Sequence, residues 1–135
     1  MDNDIAILYV EDDPRSRKVM QMIANDIGLT NLTIFEDSTD FKAKLSALNP
    51  KPQVVFLDIH MSPYTGFEML EMLRQSKEFD GVPVVAMTAS VMNEEVHRLR
   101  TCGFDGCLAK PIDFDAFPEA LNRILSGEKI WRIVS

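Results

Sequence analysis

The chain is short of the features that would take it out of the ordinary globular class. It has two cysteines, Cys102 and Cys107, in no regular framework, so a disulfide-stapled fold is excluded and free thiols in a reducing compartment are expected. No apolar run approaches the ~20 residues of a membrane span. The opening MDNDIAILYV is acidic where a secretory signal would be basic, so export is not expected and the cytoplasm is the expected location. Basic residues are also scarce, with 14 Lys and Arg against 21 Asp and Glu, a formal net charge of −7. That balance argues against direct nucleic-acid binding, which needs a basic footprint, and is compatible with a cation site built from acids. There is no low-complexity segment, no repeat of 20–50 residues and no linker to a second domain.

What is present is a rhythm. At 135 residues the chain suits one domain with a real core. Short apolar runs at Ile5–Val10, Leu32–Phe35, Val54–Leu57, Val82–Met87 and Phe104–Ala109 read as strands. Helical patterns fall after each: one from Pro14 to Gly28 with Asp13 as N-cap, one near Thr39–Leu48 and one from Phe67 to about Lys77. A fourth begins near Asn93, and a fifth spans about Ala116–Ser126, capped by Asp115, with Pro118 in its first turn and Gly127 at its end. Five βα units imply right-handed crossovers and a parallel sheet covered on both faces, which explains continuous rather than alternating apolar strands. The expected fold is a doubly wound, flavodoxin-like, five-stranded parallel sheet of order 2-1-3-4-5 with five helices. Residues 1–127 form the domain, and 128–135 (EKIWRIVS) are a short tail with no separate output domain.

In such sheets functional groups gather beyond the carboxyl ends of the strands. Those ends carry Glu11-Asp12-Asp13, Asp58, Thr88 and Lys110-Pro111. Singly, each has a local explanation: Asp13 caps a helix, Asp58 satisfies loop amides, Thr88 caps a turn, and Lys110 is solvated. With Asp13 left to its cap, together they place three acids, a hydroxyl and an amine at one mouth. Concentrated negative charge needs a positive partner, and carboxylate oxygens suit Mg²⁺.

The motifs ILYVEDDP, VVFLDIHM…TG, PVVAMTAS and LAKP, in that order from about Ile5 to Leu125, resemble those of response regulator receiver domains of two-component signalling, here of single-domain type. Thr88 and Lys110 stand 30 and 52 residues after Asp58. The resemblance implies that Asp58 is phosphorylated and that Asp12 ligates Mg²⁺ directly while Glu11 acts through water. It implies that Asp58 and the His60 backbone carbonyl complete the metal site. Thr88 would be the switch hydroxyl, Lys110 would contact phosphoryl oxygens, and Pro111 would follow a cis peptide bond. His60 and Ser90 fall at positions that tune dephosphorylation in the family; the alternative for His60 is a solvent-facing side chain at the rim.

Two departures from the family stand out. Its usual aromatic, three residues before the lysine, is Cys107 here, so the aromatic half of the switch is altered. Phe104 is not expected to replace it, because residues three apart in a strand face opposite ways. Cys107 itself reads as an inert buried thiol before it reads as a redox group. In the acceptor loop, proline comes one step late, at Pro63, while Gly66 keeps register.

The function implied is a switch that takes a phosphoryl group from a sensor histidine kinase or histidine phosphotransfer protein. It would signal through protein contacts or phosphorelay, and would not act as an enzyme on an external substrate. The rivals are a receiver-like binder independent of phosphorylation, a Mg²⁺-dependent phosphatase and a flavin carrier. His60 stands where such phosphatases place a second Asp, and Glu11-Asp12-Asp13 would repel a flavin phosphate. The apolar tail either packs back on its own domain or makes a partner or homodimer contact.

Overall fold

The computed structural model describes residues 5–89 and 92–131. Five βα units run in order: β1 Ala6–Val10, α1 Pro14–Ile27, β2 Asn31–Phe35, α2 Phe41–Ser46, β3 Val54–Asp58 and α3 Gly66–Arg74. They continue with β4 Val84–Thr88, α4 Asn93–Cys102, β5 Gly106–Ala109 and α5 Phe117–Leu125, after which β6, Ile130–Trp131, closes the series. A single 3₁₀ turn, Lys77–Phe79, lies between α3 and β4. All pairings are parallel, and the order is β2-β1-β3-β4-β5-β6.

The sixth strand corrects the expected five. Gly106 pairs with Ile130 and Cys107 with Trp131, so the first part of the tail joins the sheet instead of standing outside it. The cause lies in both partners. Ile130 is apolar and becomes buried, and Gly106 offers no side chain where the Ile130 carbonyl approaches. A Cβ on Gly106 would lie 2.7 Å from that oxygen. Residues 132–135, including the apolar Ile133 and Val134, lie outside the described residues.

Strand alternation sorts the core into two layers. Ile5, Ile7 and Tyr9 face Met20, Ile23, Phe117 and Leu121, the layer under α1 and α5. Leu8, Val10, Val55 and Leu57 face Phe41, Leu45, Met69, Leu73 and Leu99, the layer under α2, α3 and α4. Because both faces are covered, β1, β3 and β4 are buried throughout.

Most helix ends follow the local chemistry. Asp13 Oδ1 accepts the Arg15 amide, and Gly28, at φ 79°, terminates α1. Thr65 and Glu68 form a reciprocal capping box on α3. The expected Asp115 cap of α5 is corrected: Ala116 stands at the N-cap with no side-chain bond to the helix, and Asp113 accepts the amides of Asp115 and Ala116 in the turn before it. The acceptor sits two and three residues before those amides, the reach of a short carboxylate across a turn.

Candidate functional site

The strand order reverses between β1 and β3, and the polar residues of the motifs collect beyond their carboxyl ends. Glu11 follows β1, its amide bonded to the Phe35 carbonyl of β2 at 3.0 Å. Asp58 ends β3, opposite Met87 of β4. Lys110 follows β5, its amide bonded to the Thr88 carbonyl at 2.9 Å. The backbone ladders thus fix Cα positions for all four strand ends before any side chain is considered.

The side chains then meet. Lys110 Nζ lies 3.0 and 3.2 Å from the two Glu11 oxygens and 3.3 Å from Asp58 Oδ2. Glu11 also accepts the Tyr9 hydroxyl at 2.7 Å and the Asp13 amide at 3.2 Å. Asp58 Oδ1 accepts the His60 amide at 3.2 Å. Glu11, Asp58 and Thr88 are buried, whereas Asp12 and the His60 side chain are exposed. The site is therefore a buried floor with one acidic wall open to solvent.

Burial and like charge set the protonation. Asp58 is pushed up to about 7, first by burial and then by Glu11, with Lys110 and the His60 amide opposing. Burial would also raise Glu11, but its bonds with Asp58, Tyr9 and Lys110 prevail and hold it below the usual carboxylate range. Lys110 is raised: burial works against the ammonium, and the two carboxylates more than offset it. One lysine is shared by two buried acids, and Asp58 is the one that more readily holds a proton.

One oxygen from each of Glu11, Asp12 and Asp58 lies within 4.8 Å of the others. An all-oxygen, anionic donor set opening toward water suits a hard divalent cation that keeps part of its hydration, as Mg²⁺ does.

The expected residues thus separate into groups. Glu11, Asp12, Asp58 and Lys110 are brought together, and buried Thr88 stands one strand away from Asp58. The Lys110–Pro111 bond is cis, as are Ser62–Pro63 and Asn49–Pro50. Ser90 lies outside the described residues. Cys107 is buried, its thiol pushed up to about 11 by burial and then by Glu95, which favours the inert form.

The geometry assigned to Phe104 is corrected. It precedes β5 rather than lying in it, and it packs in the same layer as Cys107, edge-on to Phe67 at 5.9 Å. Strand alternation does not apply to a residue outside the strand.

Three contributors escaped the motif reading. Tyr9 looked like one more apolar strand residue. Arg17 donates to the Glu11 carbonyl at 3.1 Å from α1 and belongs to no quoted motif. Ser38, fully buried, bonds to both backbone groups of Tyr64, 26 residues away. Only the first left a local signal: a phenol two residues before an acid shares its strand face.

Comparison with known proteins agrees with this architecture. The family model described as "Response regulator receiver domain" matches residues 7–122. The chain is 29% identical over 138 residues to response regulator Rre1 of Synechocystis, spanning 96% of this chain and 55% of that relative. It is 24% identical over 120 residues to the polar-differentiation response regulator DivK of Brucella ovis, covering 89% and 95% of the two chains. Among solved structures it superposes on the chemotaxis protein CheY4 of Vibrio cholerae with TM-score 0.79, 22% identity and coverage of 90% and 98%. It also superposes on the receiver domain of a sensor histidine kinase from Pseudomonas aeruginosa, solved with magnesium coordinated in its active-site cleft. That match has TM-score 0.79, 20% identity and coverage of 92% and 99%. Among the described residues, no helix is long and apolar enough to cross a membrane.

Proposed function

Since the chain belongs to the response regulator receiver family of two-component systems, we propose that it accepts a phosphoryl group on Asp58 from a phosphohistidine of a sensor kinase or a histidine phosphotransfer protein. The observation that carries this reading is Lys110 Nζ at 3.0 and 3.3 Å from Glu11 and Asp58, two of the three clustered carboxylates, the third being Asp12. Asp12, Asp58 and the His60 carbonyl would hold Mg²⁺, with Glu11 acting through water. When bound, the ion supplies positive charge against repulsion between the carboxylate and the phosphoryl oxygens.

The chain's own residues do the rest. A carboxylate oxygen of Asp58 attacks phosphorus as the P–N bond to the donor histidine breaks, and the electron pair stays on the imidazole nitrogen. Lys110 stabilises oxygens of the transferring group, and the Thr88 hydroxyl donates to another. Water later cleaves the acyl phosphate and restores Asp58. The new charge sits at a buried mouth, so Thr88 and the backbone from β4 to β5 re-pack around it. On this reading residues 1–127 are the receiver unit, residues 128–135 are a short tail of which Ile130–Trp131 extend the sheet, and the protein works in the cytoplasm by contacts with other proteins. His60 and Ser90 tune how long the phosphoryl group lasts.

Purified protein with Mg²⁺ and a small phosphodonor should gain one phosphoryl group, read by mass spectrometry. Equal labelling of Asp58→Asn would reassign the acceptor. A phosphorylation-independent binder is the second reading, favoured by buried Cys107 in β5. Amide resonances from 88 to 108 that stay still on adding Mg²⁺ and beryllofluoride would select it.

A further inference from the structure

Tyr9 lies within β1, fully buried in the layer under α1 and α5. At such a position in a doubly covered parallel strand an aliphatic residue is the usual filling. A buried phenol needs a partner for its hydroxyl, and this one donates to Glu11 Oε1 at 2.7 Å. Lys110 reaches the same oxygen at 3.0 Å. The other oxygen takes Lys110 at 3.2 Å and the Asp13 amide at 3.2 Å. Glu11 Oε1 thus has a charged donor at the end of a long side chain, Lys110, and a neutral one, Tyr9, whose ring is locked in the core, while Oε2 has Lys110 and the Asp13 amide.

The proposed reaction requires Lys110 to turn toward phosphoryl oxygens. Glu11 stays behind, buried and without its ammonium contacts, and a buried carboxylate short of donors is costly. Tyr9 does not move with the lysine. We infer that Tyr9 is a positioning residue: its hydroxyl holds the Glu11 carboxylate in place, so that Lys110 exchanges Glu11 for the phosphoryl group at low cost. The inference rests on the reading of Asp58 as phosphoacceptor.

Tyr9→Phe keeps the ring and its packing and removes only the donor. The full chain is titrated with beryllofluoride, a phosphoryl stand-in, at saturating Mg²⁺, and with Mg²⁺ alone, both followed by backbone amide shifts. Losing one hydrogen bond to a charged group should weaken beryllofluoride binding about tenfold, with Mg²⁺ affinity held within about twofold. The Glu11 side-chain carboxyl ¹³C resonance of the Mg²⁺-free protein should also move. Wild-type affinity for beryllofluoride in Tyr9→Phe would reduce Tyr9 to packing and overturn the inference. Equal weakening toward Mg²⁺ alone would also overturn it, by placing the effect on the cation site. A wild-type protein that takes no beryllofluoride is a different result: it removes the phosphoacceptor reading and the role of Tyr9 together.

Discussion

Ser38 grips Tyr64 by both of its backbone polar groups. Its Oγ accepts the Tyr64 amide at 2.7 Å and donates to the Tyr64 carbonyl at 2.8 Å. Ser38 follows β2, and Tyr64 lies in the loop that carries His60 away from Asp58 toward α3. One hydroxyl therefore does for this loop what a strand ladder does elsewhere, and it does so next to the displaced Pro63.

Ser38→Ala leaves both Tyr64 groups without that partner, at about 1–3 kcal/mol if no water enters. The expected outcome is a lowered urea midpoint and slower Asp58 labelling by a small phosphodonor, because the loop that positions the His60 backbone loosens. Labelling at the wild-type rate would show that the loop keeps its shape without the serine.

Asp58 gives a pH dependence with a definite sign. Its carboxyl titrates near 7 in the folded chain, above the ordinary 3.8. A raised acid contributes stability below its unfolded pKa and loses it as pH rises from about 4 through about 7. Asp58→Asn should therefore stabilise the metal-free protein at pH 8, by on the order of 1–2 kcal/mol, and much less at pH 4. Only the carboxylate attacks phosphorus, so labelling at limiting Mg²⁺ should also climb between pH 6 and 8. A flat stability difference between wild type and Asp58→Asn across that range would contradict the assignment.

Gly66 opens α3 against the backbone that carries Asp58. A Cβ there would fall 2.8 Å from the Asp58 carbonyl oxygen and 2.9 Å from the Ile59 Cα. Both are backbone atoms that cannot swing aside, so Gly66→Ala must push α3 away from β3. Such overpacking costs about 1–3 kcal/mol. Asp58 labelling should slow as well, since the backbone carrying the carboxylate is what gives way. Amide shifts confined to α3, with Asp58 and Ile59 unmoved, would place the relief elsewhere.

The fold was legible because its signals are local and repeated. Continuous apolar strands, a proline in the first turn of α1 and glycines at helix ends each act within a few residues. The gathering of Glu11, Asp12, Asp58 and Lys110 was legible through motif order, since each sits at a strand end that the topology brings to one mouth. Ser38 was not, because a serine in a turn carries no mark of a partner 26 residues away. Tyr9 was hidden differently: its ring satisfies the apolar pattern, and only the fold shows its hydroxyl reaching Glu11. β6 was missed because two residues show no period, and their pairing depends on an empty space at Gly106.

That space makes the last prediction. Trp131 is the single tryptophan of the chain. It packs against the layer that holds Cys107, with the Arg100 guanidinium 5.0 Å from its ring centroid. Its strand stays on β5 only while Gly106 leaves room for the Ile130 carbonyl, so Gly106→Ala should release β6 and red-shift Trp131 emission. Freeing Ile130 from a buried position should lower stability by about 1–2 kcal/mol. The same substitution in a chain ending at Glu128 should cost little further, because the group it collides with is gone. Additive losses in the two backgrounds would mean that the β5 glycine serves its own strand and that β6 is not held by it.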